Sequence, residues 1–244
     1  MTGLRRVVAL AGLAGVLGGC AFFGSDRPAS PPLDPIAKPI AGRQVWSQRT
    51  GDVGALLTPA ASAEAVTVAS QDGRVVAYAA DSGRELWRGE AGGKLSAGVG
   101  SDGRRAAVVT TDNELVVLDA GKLGWRARLG TRVVTPPLVA GERVFVLGVD
   151  RSVHAYDALD GRKLWVQQRP GDPLTLLQSG VLGAWKDTLV AGQGARLAGF
   201  DPTRGTLRWE ATVASPRGAN EVERLADLVG PAARVGDTIC ARGF

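Results

Sequence analysis

Apolar residues along this chain fall in runs of five to seven, alternating or unbroken, cut by Asp-Gly, Ser-Gly or a lone Gly. The first full unit reads Glu64-Ala-Val-Thr-Val-Ala-Ser70, a turn at Gln71-Asp72-Gly73, then Arg74-Val-Val-Ala-Tyr-Ala-Ala80. A second turn, Asp81-Ser82-Gly83, leads into Arg84-Glu85-Leu86-Trp87. Such a pattern predicts short antiparallel strands joined by hairpins, because glycine supplies the positive φ that tight turns require. The third unit repeats it from Arg143 through Ser152-Val-His-Ala-Tyr156 to Gly161 and Trp165, and the fourth from Thr188 through Arg196-Leu-Ala-Gly-Phe200 to Gly205 and Trp209. The second unit, with Leu115-Val-Val-Leu-Asp119, Gly121 and Trp125, has a turn two residues shorter. Asp119, Asp157 and Asp201 open the last turn of their units, where a carboxylate caps turn amides; Ala79 stands at that place in the first unit.

A longer beat lies over the short one. Five tryptophans each follow a glycine by four positions: Gly42/Trp46, Gly83/Trp87, Gly121/Trp125, Gly161/Trp165 and Gly205/Trp209. The Trp-to-Trp steps are 41, 38, 40 and 44 residues. A strand-rich period of this length predicts a β-propeller, built blade by blade. The glycine gives the outer strand its entry turn, and the indole covers the seam to the next blade, removing about 150–250 Å² from water. These tryptophans are therefore expected to be structural. Trp185, off the beat, is expected to lie in the core of an inner strand.

The chain's beginning narrows the compartment. Arg5 and Arg6 precede an apolar run over residues 7–17, and Leu17-Gly18-Gly19-Cys20 follows. A basic start, a short apolar stretch and small residues before a cut site predict an export signal over residues 1–19, too short to span a membrane as a mature helix. Leu-Gly-Gly-Cys is similar to a lipobox, which implies a lipidated Cys20; more than one acyl chain there gives stable anchoring. By the sorting pattern of such lipoproteins, Ala21 rather than Asp implies the outer membrane. Residues 20–40 carry Pro28, Pro31, Pro32, Pro35 and Pro39 without periodicity and read as an extended tether, leaving 41–244 as the propeller domain. Export means an oxidising compartment. Cys240 is then either half of a disulfide with a cysteine outside this chain or a small buried thiol.

A net charge of +5 over 244 residues is modest, and its basic residues are scattered among turns and strand ends. No basic run interleaves with aromatics, which argues against nucleic acid as a partner. The one histidine, His154, sits at an alternating strand position with a structural role. No Ser/His/Asp set and no metal-ligand spacing are evident. Asp72-Gly73, Asp102-Gly103 and Asp150 are explained by hairpin turns. The expectation is of no enzyme, no cofactor and no metal.

The repeat Ala-Tyr/Leu-Asp-x-x-x-Gly-x-x-x-Trp resembles that of quinoprotein-type propellers, which include quinone-dependent dehydrogenases and non-catalytic relatives. The alcohol-oxidising members carry adjacent cysteines, and none stand together here. A more specific resemblance lies in Pro173-Leu-Thr-Leu-Leu-Gln178, in Gly194-x-Arg-Leu-x-Gly-Phe-Asp201, and in the loop Arg217-Gly-x-x-Glu-x-x-Arg-Leu-x-Asp227. With the lipobox, tether and repeats, these resemble the BamB family of outer-membrane assembly lipoproteins. That resemblance implies docking to BamA, through one of its periplasmic polypeptide-transport-associated domains, within the BAM complex. Unfolded outer-membrane proteins are a further implied partner. The two loops carried over are Leu174, Thr175, Leu176 and Leu177, and Arg224 with Asp227. Leu177 or Gln178 stands where the family has an arginine, and Val229 where it has a second aspartate. The leucines either face a partner or begin a buried inner strand. Arg217, Glu221, Glu223 and Arg224 are expected to form local ion pairs. A quinone-dependent dehydrogenase-like propeller and a propeller docking another envelope protein are the alternative functions.

The repeats predict four complete blades and the start of a fifth at residues 228–244, out of about eight that the resemblance implies. Residues 42–48 are expected to be a lone outer strand. An arc of about four and a half blades leaves sheet edges open, so the 244-residue chain is expected to be poorly stable in isolation and prone to aggregate.

Overall fold

A computed structural model describes residues 42–54, 57–169, 174–220 and 222–244. Cys20, the export signal, the tether, Pro173 and Glu221 lie outside the described residues. The chain divides into two units, Met1–Arg43 and Gln44–Phe244, and every strand among the described residues belongs to the second.

Its architecture is four successive four-stranded antiparallel sheets and one two-stranded sheet. The first blade holds β1 (Ala60–Ala61), β2 (Ala65–Ala69), β3 (Arg74–Ala79) and β4 (Glu85–Glu90). The second holds β5 (Gly100–Ser101), β6 (Arg105–Val109), β7 (Glu114–Asp119) and β8 (Lys122–Arg128). The third holds β9 (Leu138–Ala140), β10 (Arg143–Leu147), β11 (Val153–Asp157) and β12 (Lys163–Gln167). The fourth holds β13 (Leu182–Trp185), β14 (Thr188–Gln193), β15 (Arg196–Phe200) and β16 (Leu207–Thr212). The hairpin β17 (Leu228–Val235) and β18 (Thr238–Gly243) follows. Strands pair in chain order within each blade, and the first strands touch in succession, β1 to β5 to β9 to β13 to β17. The result is an open propeller arc.

The two kinds of apolar run correspond to two kinds of strand. β3, β6, β7, β10, β11, β14 and β15 lie between neighbouring blades and are buried on both faces, so they read as nearly continuous apolar text. The outer strand β4 alternates between half-buried and exposed positions and reads Glu-Leu-Trp-Arg-Gly-Glu. The core is accordingly a series of clusters between blades. Val75, Leu95, Val108 and Val116 fill the first interface; Val109, Val117, Val144 and Tyr156 the second; Phe145, Val153, Leu189 and Phe200 the third. The fourth is smaller, with Val181, Val190, Leu197 and Leu228 buried and Trp185 and Trp209 packed against it. Trp185 is half-buried there, its ring flanked by Lys186 at 4.8 Å and Arg234 at 5.8 Å, so it borders the core rather than filling it.

The seam is made by the Gly-x-x-x-Trp pair, and its two members serve different blades. The Trp46 Nε1–H donates to Ala80 O at 2.8 Å, Trp125 to Ala158 O at 3.0 Å and Trp165 to Pro202 O at 3.1 Å. Each acceptor lies three residues before the next unit's glycine. That glycine leaves room for the ring: a Cβ on Gly83, Gly161 or Gly205 would come 2.6 Å from Trp46, Trp125 or Trp165. All three glycines also hold positive φ, at 69°, 75° and 71°. In every outer strand a β-bulge falls just before the tryptophan, with Leu86, Gly124, Leu164 or Arg208 as the extra residue. A bulge of this kind re-aims the side chain that follows it.

Trp87 departs from the rule for a reason visible in the short second turn. Asp119 and Lys122 are a ladder pair, so only Ala120 and Gly121 form the loop, both at positive φ. The loop is small enough for β4 to lie directly on it: a Cβ on Gly121 would sit 2.2 Å from Arg88 O, and one on Gly89 would sit 2.2 Å from Gly121 O. No place remains for an indole, and Trp87 donates instead to Gly103 O at 3.0 Å. Trp209 packs inside its own blade, against Gly199. Asp119 likewise does not cap its turn; its carboxylate takes both ends of the Arg104 guanidinium at 2.7 and 3.1 Å. Residues 42–48 form no strand, Gly42 is exposed, and Trp46 reaches the first blade through its indole. Cys240 on β18 is exposed, which removes the buried-thiol reading.

Candidate docking site

In an up-and-down blade the second-to-third hairpin and the crossing to the next blade lie at the same end. The Gly-containing turns before each tryptophan therefore close one face, and the loops carrying the leucines and Asp227 open on the other. The first joins β12 to β13 and the second joins β16 to β17.

Asp227, the last residue before β17, ties these loops together. Its Oδ2 accepts the Leu176 amide at 2.7 Å, and its Oδ1 meets Arg151 Nη2 at 3.4 Å. The same Nη2 donates to Leu174 O at 3.1 Å. Arg151 comes from the β10–β11 turn, at φ 64°, and its own carbonyl accepts Gln193 Nε2 at 2.6 Å. The two side chains of the ion pair are only 14% and 13% exposed, so this is a shielded knot rather than a surface contact. Two backbone bonds brace it, Leu228 N to Gly194 O at 3.0 Å and Phe244 N to Asp227 O at 2.9 Å.

Held this way, residues 174–178 form no strand, and Leu174 and Leu177 are 39% and 53% exposed. Thr175 and Leu176 are half-buried, as is Arg224. Val229 is buried at 8%, with the neighbouring Leu228 at 4%. The ion pairs expected within the second loop are absent among the described residues. Glu223 instead caps the loop, accepting the Ala219 amide at 2.7 Å, while its amide donates to Asn220 Oδ1 at 2.9 Å.

Arg151 was missed by sequence reasoning, which sought a guanidinium near Leu177. It lies in a different hairpin, brought there by the packing of the third blade on the fourth; its one sequence signal was a charged residue within the Asp150-Arg151 turn. A cleft of about 310 Å³ opens beside the knot, lined by Arg151, Arg169, Arg196, Arg224, Leu174 and Asp227 among others.

One Asp, Ser and His group does converge, against the sequence expectation. Ser152 Oγ donates to Asp150 Oδ1 at 2.5 Å and lies 2.7 Å from His154 Nε2. The hydroxyl stands between carboxylate and imidazole, whereas a nucleophilic triad needs the imidazole between the other two. All three belong to one hairpin, in which Ser152 and His154 are buried. Burial, then the charge of Lys163, holds His154 below the usual histidine range despite Asp150. Burial pushes the Asp150 carboxyl up, but hydrogen bonds from Ser152 and Thr131 and the nearby His154 hold it below its ordinary value. The group is a structural brace. Among the described residues no set of three or more His, Cys, Asp and Glu side chains is placed to hold a metal ion.

Repeated four-stranded blades with indole seams define a propeller of the quinoprotein type. The profile of the family described as outer membrane protein assembly factor BamB matches residues 37–94 and 71–244. This chain belongs to that family. It is 37% identical to the BamB protein of Bordetella pertussis over 98% of this chain and 63% of that protein. Against the BamB protein of Burkholderia pseudomallei it is 33% identical, over 97% of this chain and 63% of the other. The chain thus spans about 63% of the length of these curated relatives. Among solved structures, BamB from Moraxella catarrhalis superposes with a TM-score of 0.69 at 23% identity, covering 79% of this chain and 59% of that one. The quinohemoprotein alcohol dehydrogenase from Comamonas testosteroni reaches 0.54 at 18% identity, over 79% and 39%. Both likenesses speak for the fold alone.

Proposed function

We propose that this chain is a non-catalytic scaffold of the outer-membrane β-barrel assembly machinery, docking BamA through residues 174–177 and the loop ending at Asp227. It would act on the periplasmic side of the outer membrane, anchored by a lipid on Cys20. The observation that carries the reading is the knot of Asp227 and Arg151. It fixes two loops from different blades side by side and holds Leu174 and Leu177 out toward water. Leucines held out to water on a braced loop offer apolar surface whose burial against a partner is favourable. Family membership favours this over a quinone-dependent dehydrogenase, and the serine-centred order of the Asp150 group offers no nucleophile.

The test is capture of BamA from detergent-solubilised outer membranes by the tagged chain. Leu174→Asp with Leu177→Asp is expected to weaken capture roughly tenfold or more, since burying an unpaired charge at an interface costs several kcal/mol. Unchanged capture would sink the assignment of these loops. Cys20→Ala is expected to move the chain from the membrane to the soluble periplasmic fraction, and persistence of the variant in the membrane would sink the lipid anchor.

A further inference from the structure

We propose that the cleft between the third and fourth blades is an anion pocket, in which Arg169, Arg196 and Arg224 receive a carboxylate side chain from the docked protein partner. This rests on the proposed docking function and goes beyond it by naming the chemistry of the contact.

Among the described residues, guanidinium groups outnumber carboxylates at the cleft. Arg169 and Arg196 converge on one carboxylate, that of Glu210 on β16, with Arg196 Nη1 at 3.1 Å. Arg151 is met by Asp227. Arg224 lines the same space, so among the described residues Arg169, Arg196 and Arg224 are matched by Glu210 alone once Asp227 is taken by Arg151. Burial, then the like charges of Arg196 and Arg151, holds the Arg169 guanidinium below the usual arginine value. Its side chain is 31% exposed, so water relieves only part of that repulsion. A recess walled by protein concentrates such a field, and the fork of a guanidinium fits a carboxylate in bidentate fashion. At about 310 Å³ the cleft accommodates a carboxylate, its methylene stem and several waters.

What surrounds the cleft points to protein rather than to a lipid headgroup or free phosphate. Leu174 lines it, and Leu177 is exposed on the same loop. The pocket and the apolar anchor thus form one continuous surface. The complementary surface is a segment presenting an aspartate or glutamate beside an apolar side chain.

The experiment titrates the purified soluble periplasmic domains of BamA onto the chain at low (about 50 mM) and high (about 300 mM) salt, where screening differs strongly. Arg196→Gln with Arg224→Gln is expected to weaken binding roughly tenfold at low salt and to flatten the salt dependence. Leu177→Ala is expected to weaken binding while leaving the salt dependence intact. Arg224→Gln alone, outside any strand, gives the same readout should the double variant unfold. An arginine variant with unaltered affinity and salt slope overturns the anion pocket and leaves the docking reading standing. No binding by the unaltered chain at either salt overturns the docking reading and the pocket with it.

Discussion

A methyl group added at Gly161 would meet the Trp125 ring at 2.6 Å, and the residue also holds φ at 75°. Gly141 shares the positive φ, at 56°, but has open space around its Cα. The pair separates backbone strain from seam packing. Gly141→Ala is expected to cost about 1–2 kcal/mol, the penalty of a left-handed alanine. Gly161→Ala is expected to cost about 1–3 kcal/mol more, because the ring must move. Urea unfolding of the two variants measures the difference, and equal losses would mean that the ring yields freely. The four-residue spacing of glycine and tryptophan is plain in the sequence. Which turn each indole reaches is not, because that depends on the neighbouring blade. Trp87 is the case in point: Ala120-Gly121 is too short to seat a ring, and only the packed structure brings Gly103 O within reach.

Loops 174–180 and 213–227 depend on one another through a single carboxylate. Asp227→Ala strands the Leu176 amide and removes the carboxylate that meets a shielded guanidinium. Hydrogen bonds to charged groups contribute about 1.5–3 kcal/mol, and a loss of that order in unfolding free energy is expected. Hydrogen exchange is the sharper readout: the Leu176 amide should lose protection while β10 and β11 keep theirs. Equal protection would show that the loop holds itself. The hairpins of this molecule were legible because apolar runs and Asp-Gly or Ser-Gly turns carry local instructions. The course of residues 174–178 was not. Four neighbouring residues with three leucines read equally as a buried strand or an exposed loop, and the choice is made by partners far along the chain. Leu176 N and Leu174 O are satisfied by Asp227 and Arg151 side chains, so the segment needs no ladder.

Across the whole blade unit, stability is divided among four clusters rather than gathered in one centre. The fold class was legible from the beat of the indoles for that reason: each interface repeats one solution, and the repetition appears as a period. A single side chain in the third blade gives the molecule a pH signature. His154, the chain's one histidine, is buried and held below its ordinary value of 6.5 by burial and by Lys163. Its neutral form is the one that folds. Stability from this group is therefore full above pH 6.5 and falls as pH drops from there through the lower folded value, because the unfolded chain takes the proton first. His154→Gln, which keeps a polar partner for Ser152, is expected to flatten the stability profile between about pH 7.5 and pH 5.5. A profile equally steep in the variant would locate the sensitivity elsewhere.

The indoles of Trp125 and Trp165 are each fastened to the turn of the following blade, and the indole of Trp46 to the turn of the first. Each seam thus couples a blade to its neighbour through one indole and one turn. Harm done to Trp125 surfaces around Ala158 and Gly161, in a sheet whose own residues are all intact, while the turn at Ala120 and Gly121 stays as it was. A defect in such a molecule is read across the seam from where it is written.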